Sequence, residues 1–501
     1  MGLLRAGETC WRPAQAGRAR FLIDGQNYFR ALDGALRAAR RSIHLLGWSF
    51  DPRTRLSEDG GQIGQLLIDL AARQPGLDVR LLAWQSALPI SATQGFFPHR
   101  AKARFRGTRV RFELDAEVPL GACHHQKVIV IDDALAFVGG ADLAGDRWDT
   151  PEHLDDAPRR AGPGGGRHGP RHEVMAMVDG PAAAALGDLF RARWRIAVGD
   201  IGEAPPPAPP QWPAGFGPEL DCGRIGVART LPAWRDEPGA REIAELTLEA
   251  IAGAERLIYL ENQYFTWPLA VEALAARLAE PDGPEVVLIC TDRSPSYFDR
   301  LTMDRARSTA LWRLKSGDIF RRFHALAPFT RGGKPIIAHA KVMIVDDRLV
   351  RISSANLNNR SHGFDTECEV ALEAQTPAER AALGGFRDRL AGHWLGRGAD
   401  EVAEMRRLTG SLGEGLWALD GGARLRPLEA RRLGLFGEWV AEFHIGDPSE
   451  VGNSWRPAQR RKTLVAEARA LRQTLAARAA GSPPPAAGDP RPAATADRAA
   501  S

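Results

Sequence analysis

Two histidine–lysine pairs carry the most chemically distinctive pattern in this chain. His125, Lys127 and Asp132 form H-x-K-x-x-x-x-D within HHQKVIVIDDALAFVGGADL (124–143), and His339, Lys341 and Asp346 repeat it within HAKVMIVDDRLVRISSANL. Two imidazoles with pKa values near neutrality can divide the roles of nucleophile and general acid between them. Two ammonium groups suit the negative charge that grows on a phosphoryl group approaching its transition state. The reaction class that follows is displacement at a phosphodiester through a covalent phosphohistidine. One histidine attacks phosphorus while the other protonates the leaving alkoxide; the acid then turns base and activates water or an alcohol. No carboxylate or cysteine cluster suggests a metal, so the lysines stand in for a divalent cation. No cofactor is expected, and activity should be indifferent to EDTA.

A nucleophilic imidazole needs its second nitrogen fixed, usually by a carboxylate. Asp132 and Asp346 are poor choices: each lies seven residues past its histidine, roughly 23 Å along an extended strand. Their expected role is structural, tying the far end of the strand to backbone or cations. Glu173 and Glu369 stand in equivalent places, each opening a strand (EVMAMV and EVALEA), and are the candidate orienting carboxylates. Asp365 and Glu367 compete for the second slot. For the substrate phosphate, SSANLNNRS offers Ser353, Ser354, Asn356 and Asn358 as short neutral donors. The first copy has GGADL instead, where Gly139 and Gly140 let backbone approach closely. Gly140, Ser354 and Asn356 are the candidate phosphate contacts. Glu261-Asn262-Gln263 form either outer ligands or a plain turn.

The elements that position these residues are themselves repeated. Between Lys and Asp both copies run as apolar, β-branched-rich stretches that read as buried strands, on which His and Lys, two apart, project to one side. AARRSIHLLGWSF (38–50) resembles GAERLIYLENQYF (253–265), and DVRLLAW (78–84) answers EVVLIC (285–290). HEVMAMVDGPAAAALGDLFRARW (172–194) matches CEVALEAQTPAERAALGGFRDRLAGHW (368–394) at an offset of 196, against 214 for the two motifs. The difference places 18 extra residues in the first half, and TPEHLDDAPRRAGPGGGRHGPR (150–171) reads as a mobile surface loop that is either a tolerated insertion or a lid or lipid-contacting loop near the site. Alternating strands and helices in each half predict an α/β class.

Five segments follow: 1–202 as an N-terminal lobe with the first motif, 203–219 as a proline-stiffened linker, 220–398 as a C-terminal lobe with the second motif, 399–480 as a C-terminal extension, and 481–501 as a low-complexity tail expected to be disordered. Residues 401–450 of the extension are expected to pack on the second half, with no chemistry assigned to them. Its last part, WRPAQRRKTLVAEARALRQTLAARAA (455–480), reads as a basic-faced helix, solvated or in contact with lipid headgroups.

Bulk composition narrows the class. Sixty-six basic against 62 acidic residues leave a net charge of +4 on 501 residues, too balanced to indicate a nucleic-acid partner. The five cysteines are widely spaced without a C-x-x-C pair, which favours a reducing compartment over a disulfide framework. The sequence shows neither a secretory signal nor an apolar run of spanning length. A cytoplasmic monomer, touching membranes only peripherally, is the expectation.

HHQKVIVIDDALAFVGGADLAGDRWD, IYLENQYF and HAKVMIVDDRLVRISSANLNNRS resemble the phospholipase D superfamily, and within it the branch of eukaryotic-type enzymes and their bacterial relatives. The resemblance spans about residues 20–395. It implies two similar α/β lobes in an α-β-α-β-α sandwich with one active site at their interface. It further implies metal-independent hydrolysis of glycerophospholipids to phosphatidic acid, or transfer of the phosphatidyl group to an alcohol, with His125 as nucleophile and His339 as general acid. A cardiolipin-synthase-like phosphatidyltransferase is the first alternative. A nuclease or other phosphodiesterase, with HRAKARFRGTRVRF (99–112) holding phosphates, is the second.

Overall fold

In a computed structural model, residues 2–57, 60–86, 97–162, 166–200, 203–206 and 208–479 are described. The tail 481–501 lies outside them. The first half contributes seven strands: β1 (Gln15–Ile23), β2 (Ser42–Gly47), β3 (Asp78–Trp84), β4 (Arg111–Asp115), β5 (Val128–Ile131), β6 (Leu135–Gly139) and β7 (Val174–Asp179). The second half repeats them as β8 (Leu220–Leu231), β9 (Leu257–Asn262), β10 (Glu285–Cys290), β11 (Phe323–Pro328), β12 (Val342–Val345), β13 (Leu349–Ser353) and β14 (Glu367–Glu373). Their order is β4-β3-β2-β5-β6-β7-β1 followed by β8-β14-β13-β12-β9-β10-β11, so the second half mirrors the first about the β1–β8 ladder. In each half the three outer strands run parallel, as crossover helices require. The rest are antiparallel hairpins and meanders. Antiparallel ladders from β8 to both β1 and β14 join the two sheets edge to edge.

Three cores define the layers. The inner faces of both half-sheets bury Val128, Val130, Val138, Val174, Val342, Val350 and Val370 around two central helices, α4 (Gly180–Val198) and α8 (Pro377–His393). Phe21 of β1 stacks on Phe386 of α8 with ring centroids 3.9 Å apart, locking the halves together. The outer face of the first half packs on α1 (Asp24–Ala38), α2 (Ile63–Arg73) and α3 (Phe97–Phe105). That of the second packs on α5 (Glu242–Ala252), α6 (Pro268–Leu278) and α7 (Met303–Gly317). The result is the expected α-β-α-β-α sandwich, with the two sheets additionally joined along one edge. Each fully buried Leu, Val or Phe here contributes about 1.5–3 kcal/mol. The central helices start where the sequence dictates: α8 has Pro377 in its first turn and a Thr376/Glu379 capping box.

Two segments differ from their sequence reading. The described residues of the insertion, 150–162 and 166–171, are fastened down: His153 and Arg160 are buried, and Asp155 accepts from Thr330 Oγ1 and Gly332 N of the second half. Its composition lacks apolar periodicity, but polar contacts hold it: His153 Nδ1 lies 2.9 Å from Asp149 Oδ2, and Arg160 donates to Leu154 O. The C-terminal helix Pro457–Ala479 packs on α6 and buries Leu464 and Ala468. The extension also reaches the interface between the motifs.

Candidate active site

Strand β5 and strand β12 are buried along their whole length, which fixes the residues just before them at the centre of the molecule. His125 and Lys127 lead into β5; His339 and Lys341 lead into β12. Each lead-in is hydrogen-bonded to the opposite half. His125 N donates to Thr366 O at 2.9 Å, and His339 N donates to His172 O at 2.9 Å. Those partners sit immediately before Glu367 and Glu173. The carboxylates therefore cross between halves: His125 Nδ1 lies 2.9 Å from both oxygens of Glu367, and His339 Nδ1 lies 2.9 Å from Glu173 Oε2. Each glutamate is fully buried, and each histidine is left with Nε2 as its free end among the described residues.

Glu369 requires a correction. It does not reach either histidine; both its oxygens are taken by the Arg351 guanidinium at 2.9 Å. The ladders show why the sequence alignment slipped. Gly139 pairs with Met175 on β7, and its counterpart Ser353 pairs with Glu369 on β14. Met175 thus matches Glu369 and Glu173 matches Glu367, an offset of 194 rather than 196, so the first half holds 20 extra residues. A slip of two keeps every side chain on its own face, so hydrophobic pattern alone cannot detect it.

The two histidine–glutamate pairs are not electrically alike. Burial alone would raise Glu367, but His125, Lys127 and the Ser354 hydroxyl outweigh it and hold the carboxyl below its usual range. Ser361 Oγ also donates to Glu367 Oε1 at 2.7 Å, and Ser354 Oγ donates to Oε2. Glu173 has no such hydroxyls; Arg147 and Arg171 approach only to 3.8 Å, and burial pushes it up. Burial, then the charges of Lys341, Arg171, Arg147 and Lys127, hold His339 well below its ordinary pKa. Burial likewise lowers Lys341 to about 7, with Lys127 adding repulsion and Glu173 and Glu367 opposing it. Lys127 reaches Asp142 at 3.5 Å. Each lysine also donates to the carbonyl of its own motif histidine, at 2.9 Å for Lys127 and 2.5 Å for Lys341.

Ser354 also needs correction as a phosphate contact. Its hydroxyl is spent on Glu367 and on accepting Cys368 N at 3.0 Å. Gly140 makes room for the second motif: a Cβ there would lie 3.0 Å from Lys341 Cδ and 3.1 Å from His339 O. Asn356 lines the cleft beside His125, and its Oδ1 has no protein partner. Asp132 accepts from the backbone N–H groups of Arg40, Arg41 and Ser42, and Asp346 from those of Glu255, Arg256 and Leu257. Each aspartate sits at the left-handed start of its hairpin turn and fastens it to the neighbouring strand. Glu261 accepts from Tyr259 Oη and Trp394 Nε1 and pairs with His172, away from the cleft.

Four contributors escaped sequence reasoning. Ser361 and the cations Arg147 and Arg171 belong to the electrostatic frame above. Asp447, in the extension, accepts from Asn359 N, Arg360 N and Thr266 Oγ1 and so fixes the loop after the second motif. No periodicity or motif marks it.

His125 opens onto a cleft of about 540 Å³ lined by Trp48, Trp84, Val118, Leu120, Phe298 and Met303, with Asn356, Arg360 and Asp365 at its polar end. Leu120 and Phe298 remain 80 % and 57 % exposed, giving the cleft an apolar mouth.

Comparison with known proteins identifies the family. The family model described as Phospholipase D matches residues 35–204, and that described as Cardiolipin synthase, PLD-like domain, matches residues 247–383. The chain belongs to the phospholipase D superfamily. It is 25% identical to Phospholipase D alpha 2 of Oryza sativa subsp. japonica over 70% of this chain and 61% of the relative. It is 28% identical to Cardiolipin synthase A of Pseudomonas aeruginosa (strain LESB58) over 73% of this chain and 70% of the relative. The match therefore spans about three-fifths of the plant relative's length. The crystal structure of a phosphatidylserine synthase from Haemophilus influenzae Rd KW20 shares the fold, with a TM-score of 0.54 at 13% identity, covering 82% of this chain and 95% of that one. Among the described residues no helix is long and apolar enough to cross a membrane.

Proposed function

We propose that this protein is a phosphodiesterase of phospholipase D type, which passes a phosphatidyl group from a glycerophospholipid to water or an alcohol. The observation that carries the reading is the crossed pair of buried His–Glu contacts with two lysines between them. His125 Nε2 attacks phosphorus, forming a P–N bond, as the P–O bond to the headgroup breaks and His339 supplies the proton to the leaving alkoxide. His339 then takes a proton from water or an alcohol, whose oxygen attacks phosphorus and displaces His125, releasing phosphatidic acid or a phosphatidyl alcohol. Ionised Glu367 favours nucleophilic His125 by holding its proton on Nδ1. His339 is biased toward its neutral form in the free protein. A phosphodiester anion beside Lys127 and Lys341 adds the negative charge that favours its protonation. Asn356 and the lysines hold the non-bridging oxygens, with Gly140 giving room. The apolar cleft mouth suits acyl chains at a membrane surface.

Incubation with phosphatidylcholine micelles and a little ethanol, followed by mass spectrometry, tests this. Phosphatidic acid and phosphatidylethanol are expected, both lost in His125→Ala and in His339→Ala with the fold intact. Turnover of phosphatidylglycerol to cardiolipin, with little hydrolysis, would move the assignment to the cardiolipin-synthase-like transferase that the second family match favours. Plasmid nicking without lipid turnover would sink the lipid reading.

A further inference from the structure

A second polar cluster, behind Glu173, is used by none of the chemistry above. Asp24, the first residue of α1, meets His153 of the insertion, His172 beside Glu173, and His393 at the end of α8. Their four nearest ligand atoms all lie within 4.8 Å of one another. The separations are 2.8 Å from His172 Nδ1 to Asp24 Oδ1, 3.1 Å from His153 Nε2 to His393 Nε2, 3.1 Å from His393 Nε2 to Asp24 Oδ2, and 3.6 Å from His153 Nε2 to Asp24 Oδ1. The edge of a tetrahedron of zinc ligands with bonds of 2.0–2.1 Å is about 3.4 Å. The cluster brackets that value.

The outer contacts settle which nitrogens face inward. His153 Nδ1 lies 2.9 Å from Asp149 Oδ2, and His172 Nε2 lies 2.9 Å from Glu261 Oε2. A carboxylate on the outer nitrogen holds the ring proton there, which is how metal-ligating histidines are usually oriented. Neutral rings in that tautomer turn the inner lone pairs toward Asp24 and toward the third imidazole. Asp24 is fully buried, and its Oδ2 accepts no hydrogen bond despite lying near His393. Asp24 and the three inner ring nitrogens thus crowd within reach of one another, and one cation held among them would satisfy all four. Asp24 and His153 moreover hold left-handed backbone, with φ of 66° and 44°, strain that a site of this kind can offset. A cavity of about 360 Å³, lined by His153, His393, Asp155, Arg331 and Arg424, gives access from solvent.

We infer that Asp24, His153, His172 and His393 bind one divalent transition-metal ion, with zinc the best match to three imidazoles and one carboxylate. Three ligands come from the first half and one from the second, so the ion fastens the halves together and braces the backbone at His172, next to Glu173. It touches no substrate, and phosphodiester displacement at His125 and His339 proceeds without it. These four residues, far apart in sequence, meet only after folding.

The test uses the full chain. The protein is stripped with a chelator, resupplied with zinc chloride, desalted, and its metal measured by mass spectrometry; cobalt is loaded in parallel as an optical probe. One zinc per chain is expected, with visible d–d absorption of tetrahedral cobalt and a zinc-dependent rise in Tm. His393→Gln, at the cavity wall, should retain no zinc after desalting. Loss of a direct ligand should weaken binding by more than the roughly 10- to 100-fold that outer-contact changes cost. Asp24→Asn should behave alike. If either variant fails to fold, the wild-type cobalt spectrum decides. Substoichiometric zinc in the wild type, or zinc retained equally by His393→Gln, would overturn the site and show His172 to be a doubly protonated bridge between Asp24 and Glu261. Neither outcome bears on lipid turnover.

Discussion

Replacing Glu367 with glutamine tests the crossed-carboxylate arrangement most directly. Both oxygens of Glu367 act as acceptors, Oε1 from His125 Nδ1 and Ser361 Oγ and Oε2 from His125 Nδ1 and Ser354 Oγ. An amide places a donor where two donors, His125 Nδ1 and a serine hydroxyl, already converge. The charge-assisted contact to His125 alone is worth about 1.5–3 kcal/mol, or roughly 10- to 150-fold in rate. Relief of the donor clash favours moving the His125 proton from Nδ1 to Nε2, which removes the attacking lone pair. The analogous carboxylate-to-amide change in a serine-protease triad costs about 10⁴ in kcat for that reason. The expected loss for Glu367→Gln is therefore about 10²–10⁴ in kcat with little change in KM. Two phosphodiesters, one losing an alkoxide and one losing p-nitrophenolate, separate the roles. A defect in the nucleophile persists with both, whereas a defect in the acid, as in Glu173→Gln acting through His339, shrinks with p-nitrophenolate because that group leaves unprotonated. Glu369→Gln serves as control: it breaks the buried Arg351 pair and should cost about 3–5 kcal/mol of stability while the folded fraction turns over normally. Retention of activity in Glu367→Gln to within about threefold, with its loss in Glu369→Gln, would refute the reasoning.

Two further outcomes are expected. Asp132→Ala and Asp346→Ala each strand three backbone N–H groups at a strand start, so urea unfolding should show a loss of about 2–5 kcal/mol with kcat of the folded protein nearly unchanged. Because Lys341 is lowered to about 7 from 10.5 in the folded chain, the unfolded chain binds more protons between those values. Lys341 therefore contributes a stability that rises with pH across that window, while catalysis that needs its charge declines above about pH 7; Lys341→Met should flatten the stability slope and abolish turnover.

The sequence by itself determined the chemistry-bearing pairs and the duplicated frame. His125–Lys127 and His339–Lys341 recur with flanking apolar strands, and a repeat of 3.6- and 2-residue patterns is a local property that folding only reads out. The separation of Asp132 and Asp346 from their histidines is likewise local, since strand rise is fixed by backbone geometry. Only the tertiary structure decided which carboxylate meets which histidine. Glu367 and Glu369 share one face of β14, and a two-residue slip leaves the hydrophobic pattern intact; the Ser353–Glu369 pairing removes the ambiguity. The crossing of Glu173 to His339 and of Glu367 to His125 likewise depends on ladders between residues 166 and 242 positions apart. Ser354 looked like a phosphate donor because a hydroxyl's partner is set by what packs beside it, not by its neighbours in sequence. The same holds for Asp24, His153, His172 and His393: no spacing announces them, because the cluster exists only where the insertion, α1 and the end of α8 come together.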